Sequence, residues 1–377
     1  MKYVIKQYLP IIDHIIKSLI QFVSQGMLVN SINRSKIDSG RTSMNTGRWI
    51  VTVPRTKPLY SLQRGTLVIN EPSIVISARI DHSLRLRSVE ATFDSNRAKA
   101  LCKTYNFLYY QINLYAGDES GRSTLVEIIK MKGCGLSFMN EREAVMNAAK
   151  GFGGAPSLRS LDMTIPPDLL SLYEPPSDTE IETSLDRIID QIHSKHDSAV
   201  IFALQNIHAM TTQDKYYSED ADRVSMYIIK NYNCIRDMIT SIYANRVSNM
   251  EGDRSEEICS LSLIILMNGI QSLSIEKNGG NSIVDDEGFT YLYFIDQLVP
   301  SLLVGIKNYR KNTHLACLAM KCLCLLAASS PSALIKIGDI SEVVEGAKVY
   351  GSLAHLKLEE AASSMMKTIH GSIHTDE

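Results

Sequence analysis

Nine basic side chains between positions 64 and 132 form the strongest candidate binding site in the sequence. Arg85 and Arg87 alternate along a run that is predicted to be a β-strand, and side chains two apart on a strand share one face. Clustered positive charge attracts anions. The sequence therefore predicts an anion-binding patch made of Arg64, Arg79, Arg85, Arg87, Arg97, Lys99, Lys103, Lys130 and Lys132.

The sequence leaves the ligand of this patch open. Tyr109, Tyr110 and Tyr115 are interleaved with the basic residues, and aromatic side chains among positive charges can stack the bases of a single-stranded nucleic acid. Tyrosines in strands are also ordinary packing residues. The patch is therefore compatible with a solvated surface, an acidic phospholipid, an acidic protein or a nucleic acid.

Two groups of potential metal ligands fail on their spacing. His193 and His196 are three apart, which can place them on one helical face, but a zinc site needs three or four ligands and no third one is suitably spaced. Cys322 and Cys324 are two apart on an apolar helix, so their side chains diverge by about 200°. The full second group is His314, Cys317, Cys322 and Cys324. We expect surface histidines, buried structural cysteines and no metal.

No catalytic motif occurs in the sequence. The GFGG stretch at 151–154 follows a predicted helix and precedes Ala-Pro, whereas a phosphate loop follows a strand and ends in Lys-Ser or Lys-Thr. A serine-hydrolase elbow, an HExxH motif and an aspartate-rich metal motif are all absent. The sequence predicts no catalytic residue and no cofactor, and therefore a protein that is not an enzyme.

Charge is distributed unevenly along the chain. Residues 1–160 carry 22 Lys and Arg against 11 Asp and Glu, a net charge of +11, whereas residues 161–377 carry 17 against 30, a net charge of −13. Such an asymmetry predicts an anionic partner for the basic half. That partner could be the acidic half of the same chain.

Length and composition predict an intracellular protein of two or three domains. The chain has 377 residues, of which 45% are hydrophobic and 21% charged, as in globular proteins. The seven cysteines lie mostly in apolar runs, which indicates reduced, buried thiols and a reducing compartment. No run reaches the roughly 18 uncharged apolar residues of a membrane span, so a cytoplasmic or nuclear location is expected.

The chain divides into five predicted segments. Apolar residues at 3- and 4-residue spacing predict an amphipathic helix at 1–28, and the polar stretch 29–47 is a predicted flexible linker. Period-two runs make 48–150 a basic α+β domain. Five prolines mark a second linker at 151–178, and 179–377 is acidic and helical.

Several elements are predicted within the α+β domain. The runs RWIVTV, GTLVIN, SIVISARI and LRLRSVEATF are predicted strands, and SNRAKALCKTY is a predicted short helix. Strands at 106–115 and 123–131 flank a turn rich in Gly, Asp and Ser, which predicts a hairpin. Phe138 ends a short extended piece, and a helix is predicted over 140–150 with Asn140 as its N-cap.

Only helices are predicted after residue 178. Ser177 and Glu180 fit a capping box, in which each side chain bonds the backbone N–H of the other residue. No heptad pattern persists, so a helical repeat or bundle is expected. The predicted helices lie near 179–194, 197–211, 220–246, 254–275, 289–308, 312–329, 331–349 and 353–370.

The last 65 residues resemble an armadillo or HEAT-type repeat. The helical run HLACLAMKCLCLLAA is followed by a Ser-Ser-Pro break, a short helix that leads to Gly338, and two further helices, the last with Ala361 and Ala362. The polar helix at 341–350 departs from the usual leucine-rich pattern. The resemblance implies a curved scaffold whose groove binds a protein segment without catalysis.

Residues 89–151 resemble kinase-associated domain 1. In LVEIIKMKGCGLSF a long strand ends in a basic residue and Gly133, and Phe138 then opens a helix. The resemblance implies a small sheet, flanked by two helices, that docks on acidic phospholipid or on a partner domain. No kinase motif accompanies it in this sequence.

These features predict an α+β fold with an N-terminal helix and a small antiparallel sheet with flanking helices, followed by an all-α armadillo/HEAT-like repeat domain. The predicted function is that of a scaffold, adaptor or regulatory subunit. Its helical groove would bind protein partners, and its basic domain would contact acidic phospholipid or an acidic protein. The alternative is a nucleic-acid-binding protein that packages RNA, against which the −13 charge of the C-terminal half argues.

Overall fold

The computed structural model describes residues 49–52, 56, 66–118, 122–152, 177–194, 196–212, 218–231, 233–250, 252–278, 293–329 and 340–373. Residues Thr46–Glu377 form one compact unit. The predicted helix at 1–28, the linker at 29–47, Arg64 and most of the linker at 151–178 lie outside the described residues.

The α+β region is an antiparallel sheet covered by two helices. Helix α1 (Ser73–Leu86) lies between the first two strands in sequence, and helix α2 (Gly135–Ala149) follows the last one. The helices pack on each other, and a buried apolar cluster joins them to the sheet. The spatial strand order is β1-β5-β4-β3-β2, where the strands are β1 (Leu67–Ile69), β2 (Glu90–Asp94), β3 (Lys99–Lys103), β4 (Tyr109–Ala116) and β5 (Thr124–Lys132).

The β4–β5 hairpin is confirmed, but two neighbouring predictions are wrong. The run SIVISARI forms helix α1 instead of a strand, because Ile76, Ile80 and Leu84 recur every four residues and bury one helical face. The run SNRAKALCKTY contains strand β3 instead of a helix. Its Ala100 and Cys102 alternate into the core between β2 and β4.

Three further predicted boundaries also need correction. Trp49–Val51 belongs to no strand of the sheet, and Val51 N donates to Ser77 Oγ of helix α1 at 3.3 Å. The run LRLRSVEATF is divided between the end of α1 and strand β2. Helix α2 begins at Gly135 with Cys134 as its N-cap, so Phe138 and Asn140 lie inside it.

The C-terminal region is helical, as predicted. The capping box before its first helix is confirmed, because Ser177 N donates to Glu180 Oε2 at 2.8 Å and Glu180 N donates to Ser177 Oγ at 3.4 Å. The predicted helix at 220–246 is interrupted by a π-helical turn at Tyr227–Asn231. The helices are α3 (Asp178–Ile192), α4 (Asp197–Thr211), α5 (Ser218–Met226), α6 (Asn233–Val247), α7 (Gly252–Asn278), α8 (Val299–Lys307), α9 (Thr313–Ser329), α10 (Ile340–Ala354) and α11 (Leu356–Ile373).

These helices pack in a regular order, and together they are called the helical array. Successive helices pack together as the pairs α3/α4, α6/α7, α8/α9 and α10/α11. The second members of these pairs also pack side by side in the order α4, α7, α9, α11, and the first members α6, α8 and α10 do the same. One continuous apolar core, from Ile181 to Met365, lies between the two rows.

One helix in the described part of the chain is long and apolar enough to cross a membrane by length and composition, although the sequence predicted none. It spans Arg254–Ser274 within α7, and 67% of its most apolar stretch is buried by the rest of the protein. Burial of this kind is what a core helix of a helical domain requires.

Candidate interaction site between the sheet and the helices

Four residues at one end of the sheet face the helical array, and together they are called the docking row. Because the strands are antiparallel, β2 and β4 begin at the same end of the sheet at which β3 and β5 finish. The register pairs Glu90 with Lys103, Lys103 with Tyr109, and Tyr109 with Lys132. The sheet therefore presents a row of one carboxylate, two ammonium groups and an aromatic ring.

The docking row meets acidic residues near the start of helix α7, in its second turn. The Lys103 ammonium contacts the Glu256 carboxylate directly and lies 4.0 Å from Glu90 Oε2. Lys132 Nζ lies 3.8 Å from Glu257 Oε2. The ring of Tyr109 lies between the two lysines, with Nζ to centroid distances of 5.7 and 5.5 Å. A positive charge over an aromatic face is favourable, so the ring supports both lysines in this arrangement.

Glu90 also provides a cap for helix α9. The N–H of His314, the second residue of that helix, donates to Glu90 Oε1 at 2.5 Å. The first N–H groups of a helix have no partner within the helix, and its N-terminus carries partial positive charge. A carboxylate from the sheet therefore satisfies an N–H donor that the helical array leaves open.

Ser88 caps helix α11 in the same way. The N–H of Lys357 donates to Ser88 Oγ at 2.9 Å. Ser88 has a φ of 55°, because it ends α1 in a Schellman arrangement, with Ser88 N bonded to the carbonyl of Arg85 and Val89 N to that of Leu84. Glycine is the usual residue at this left-handed position. The serine therefore keeps a less favourable backbone conformation where its hydroxyl contacts the array.

Two histidines complete the contact. His314 Nε2 lies 2.9 Å from the carbonyl oxygen of Lys103, and His314 Nδ1 lies 3.1 Å from His355 Nε2. Both rings are buried. At the edge of the interface Arg85 donates to the carbonyl of Ser352, and Lys357 Nζ lies 4.8 Å above the ring of Tyr105.

Burial dominates the electrostatics of this interface. It raises the pKa of the Glu90 carboxyl, although Lys103 and the N–H donors of α9 act in the opposite direction. Burial lowers the pKa of His314 to about 4. Burial, followed by the neighbouring His314, lowers the pKa of His355 to about 3. Both imidazoles are therefore neutral at pH 7.

The predicted anion-binding patch is not one continuous strand face. Arg85 and Arg87 lie at the end of α1, so the prediction that they alternate along a strand is wrong. Arg85 reaches the helical array, whereas Arg87 bonds Glu141 of α2. Arg79 and Arg97 pair with Glu71 and Asp94 inside the α+β region.

The remaining patch residues are divided in the same way. Lys103 and Lys132 contact Glu256 and Glu257, and Lys130 donates to the carbonyl of Gly133 at 3.2 Å. Lys99 lies half-buried at the start of β3. Anion binding by these residues stays a prediction, but most of those described already contact carboxylates or carbonyls of the chain itself.

The three tyrosines that were predicted to form a platform lie in different environments. Tyr110 lies in the core of the α+β region, on the opposite face of β4 from its neighbours. Tyr115 OH donates to the buried Glu127 at 3.0 Å. Of the three tyrosines, Tyr109 is the one whose ring faces lysine ammonium groups, those of Lys103 and Lys132, whereas Tyr110 is buried near Arg87. A row of stacking surfaces for successive bases is therefore not formed by these residues.

The candidate metal ligands are not brought together within the described ranges, where no group of three or more His, Cys, Asp and Glu side chains could hold a metal ion. All seven cysteines are free thiols, with Cys102, Cys259, Cys317 and Cys322 buried. Cys134 and Cys234 are exposed, so the prediction of buried thiols is wrong for these two.

Sequence reasoning found part of this interface and missed the rest. Lys103, Lys132 and Tyr109 were singled out by charge and residue type. Glu90, Ser88, Glu256 and His355 were not, because their partners are remote in sequence. His314 was considered only as a metal ligand. The charge difference between the two halves was the available signal, and it identifies the regions but not the residues.

No protein-family model, curated protein or solved structure matches the chain. The interface therefore has to be interpreted from its own chemistry. Its hydrogen bonds and ion pairs connect two regions of the protein, which is the chemistry of docking.

Proposed function

We propose that this protein is a non-catalytic scaffold or adaptor of an intracellular assembly, whose helical array binds a protein partner. The packing order supports this proposal: α4, α7, α9 and α11 lie side by side, each paired with the preceding helix. That order resembles the stacking of armadillo or HEAT repeats, in which each repeat contacts its neighbours and the row presents an extended surface. A row of helices packed side by side suits an elongated peptide or protein segment.

The α+β region has a structural role in this proposal. Its sheet and two helices are compatible with a domain that resembles kinase-associated domain 1. Its lysines contact Glu256 and Glu257 of the array. We propose that the acidic helical half is the anionic partner of the basic domain, in preference to a phospholipid or a nucleic acid. The domain then holds the starts of α7, α9 and α11 in place.

Phe202 marks where a partner would bind. Its side chain lies on α4 and is 55% exposed. Gln205, one turn further along α4, is also exposed and donates to Glu257 of α7 at 3.3 Å, so this face of α4 borders the next helix of the row. Exposed aromatic residues are frequent energetic centres of protein interfaces.

The proposal is tested by affinity purification of the full chain from its native cells, followed by mass spectrometry. A specific protein should be recovered with the wild type and lost with Phe202→Asp. Phe152→Asp is the matched control, because Phe152 is 67% exposed at the end of α2 in the other region. Recovery that depends on Phe152 and not on Phe202 would contradict the proposed surface.

The two other anionic ligands are tested on the same purified protein. Vesicles with acidic phospholipid and random single-stranded RNA should bind weakly, because most of the described basic residues have partners within the chain. Salt is the diagnostic variable, since exposed charges are screened over about 10 Å at 0.1 M. Tight, salt-sensitive binding to either ligand would contradict the assignment of the basic domain to the helical half.

A further inference from the structure

The two buried histidines form a chain of hydrogen bonds whose direction is fixed at both ends. At one end Leu358 N lies 3.2 Å from His355 Nδ1, and a backbone N–H can only donate. At the other end the carbonyl oxygen of Lys103 lies 2.9 Å from His314 Nε2, and a carbonyl can only accept. His355 Nδ1 and His314 Nε2 therefore have opposite roles.

These end conditions determine the protonation of both rings. His355 Nδ1 accepts, so its Nε2 carries the proton and donates to His314 Nδ1 at 3.1 Å. His314 Nδ1 accepts, so its Nε2 carries the proton and donates to Lys103. Both rings are neutral, and each of the four nitrogens has its partner. The chain connects strand β3 to helix α9 and to the start of helix α11.

We propose that this histidine pair makes the docking of the α+β region on the helical array sensitive to acid. Protonation of His355 places a new N–H against the N–H of Leu358. Protonation of His314 places a new ring N–H, on its Nδ1, against the ring N–H on Nε2 of His355. In either case two donors face each other in a buried site, where an unsatisfied polar group is costly. The proposal rests on the interface geometry and is independent of the partner that the array binds.

The sign of the effect follows from the pKa values in the two states. The docked pKa values of His314 and His355 are about 4 and about 3, and an exposed imidazole titrates near 6.5. The undocked state therefore binds more protons as the pH falls below that range, and docking weakens. Each histidine that becomes exposed weakens docking by about tenfold for each pH unit in that window.

Other charged groups surround the histidine pair, and their protonation does not change the docking free energy in one direction. Burial raises the pKa of Glu90 in the docked state, so protonation of that carboxyl favours docking. One carboxyl opposes two histidines, and its effect on docking changes with pH only between the ordinary carboxyl pKa and its own raised pKa in the docked state. The charged side chains that face the pair from the elements around it are Lys103 and Glu90 of the sheet, Glu256 of α7, Lys321 of α9, Lys357 of α11 and Arg85 of α1.

The first test uses the wild-type full chain. Histidine ¹⁵N chemical shifts should show Nε2 protonated in both rings at pH 7, with no titration of either ring above pH 5 while the interface is intact. Hydrogen exchange, corrected for its intrinsic pH dependence, should show that segments 313–318 and 356–361 lose about a hundredfold of protection from pH 6 to pH 5. Segments in the sheet core, such as 110–114, should keep theirs.

The second test replaces the pair by side chains that do not titrate. In His314→Gln with His355→Asn, an amide can still donate to Lys103 and an asparagine can still cap α11. Protection of the two interface segments should then be independent of pH between 6 and 5. His82→Asn, an exposed histidine of α1, is the control and should behave as the wild type.

Three outcomes would overturn the proposal. One is a protonated Nδ1 in either ring at pH 7. Another is unchanged protection of 313–318 and 356–361 in the wild type down to pH 5. The third is an equal acid-induced loss of protection in the double variant and in the wild type. The ¹⁵N measurement needs no substitution, so the proposal stays testable if the double variant fails to fold.

Discussion

The two regions of the molecule are each stabilised by a separate apolar core, and they meet through polar contacts. Within the described residues the buried apolar side chains form one cluster between Trp49 and Ala149 and a second between Ile181 and Met365. Apolar burial is strong and has no direction, whereas ion pairs and caps depend on single atoms. The docking of the two regions on each other can therefore be weakened while both apolar cores stay folded.

The largest expected effects come from the cores themselves. Ile80→Ala in α1 and Leu266→Ala in α7 each remove a fully buried side chain, which costs about 2–5 kcal/mol. Ile80→Ala should mainly lower the midpoint temperature of the unfolding transition that the fluorescence of Trp49, the single tryptophan, reports. Leu266→Ala should mainly lower the midpoint temperature of the transition that helical circular dichroism reports. Equal shifts of both transitions in both variants would show one shared core.

A smaller effect is expected from the central ion pair. Lys103 and Glu256 have side chains only 13% and 9% exposed. Removal of the Glu256 charge leaves Lys103 with the longer contact to Glu90 at 4.0 Å, so it should cost about 3 kcal/mol, the low end of the range for breaking a buried ion pair. Glu256→Gln should therefore lower the free energy of unfolding, measured in urea, by about that amount. Glu257→Gln is the control in the next position. Lys132, the partner of Glu257, is 54% exposed, so loss of this ion pair should cost less than about 1 kcal/mol. Similar costs for the two variants would contradict the buried position of Lys103.

The smallest expected effect concerns the cap that Ser88 provides. Ser88→Ala removes the hydroxyl but keeps the left-handed backbone, so it should cost about 1 kcal/mol. Ser88→Gly also removes the hydroxyl, but glycine adopts a positive φ without the penalty of about 1 kcal/mol. The free energy of unfolding of Ser88→Gly should therefore be close to that of the wild type. A clear stabilisation by Ser88→Gly would mean that the hydroxyl contributes nothing to docking.

Local patterns were sufficient for much of the helical region. The capping box at Ser177 and Glu180 involves residues three apart, and the helix begins where the sequence predicts it. The α+β region was harder. Ile74, Val75 and Ile76 are β-branched residues that favour strands, and packing against the sheet selects the helix for this segment instead. The four-residue spacing of Ile76, Ile80 and Leu84 was the available local signal for the helix, and the β-branched residue types in the run outweighed it in the prediction.

The interface could not be predicted at the level of residues. Glu90 and His314 lie 224 positions apart, and nothing in either segment identifies the other. The opposite charges of the two halves gave a correct general indication, because lysines of the first contact glutamates of the second. The neutral parts of the contact, Ser88 and the two histidines, carry no charge at pH 7 and so leave no trace in such a pattern.

The central claim is that the α+β region is held against the helical array by specific polar contacts, with Lys103 and Glu256 at their centre. A double-mutant cycle with Lys103→Met and Glu256→Gln, measured by urea unfolding, tests it most directly. We expect a coupling free energy of about 2 kcal/mol, in the upper range for residues in contact. Costs that add to within about 0.3 kcal/mol would show that the two side chains do not interact, and would contradict the account.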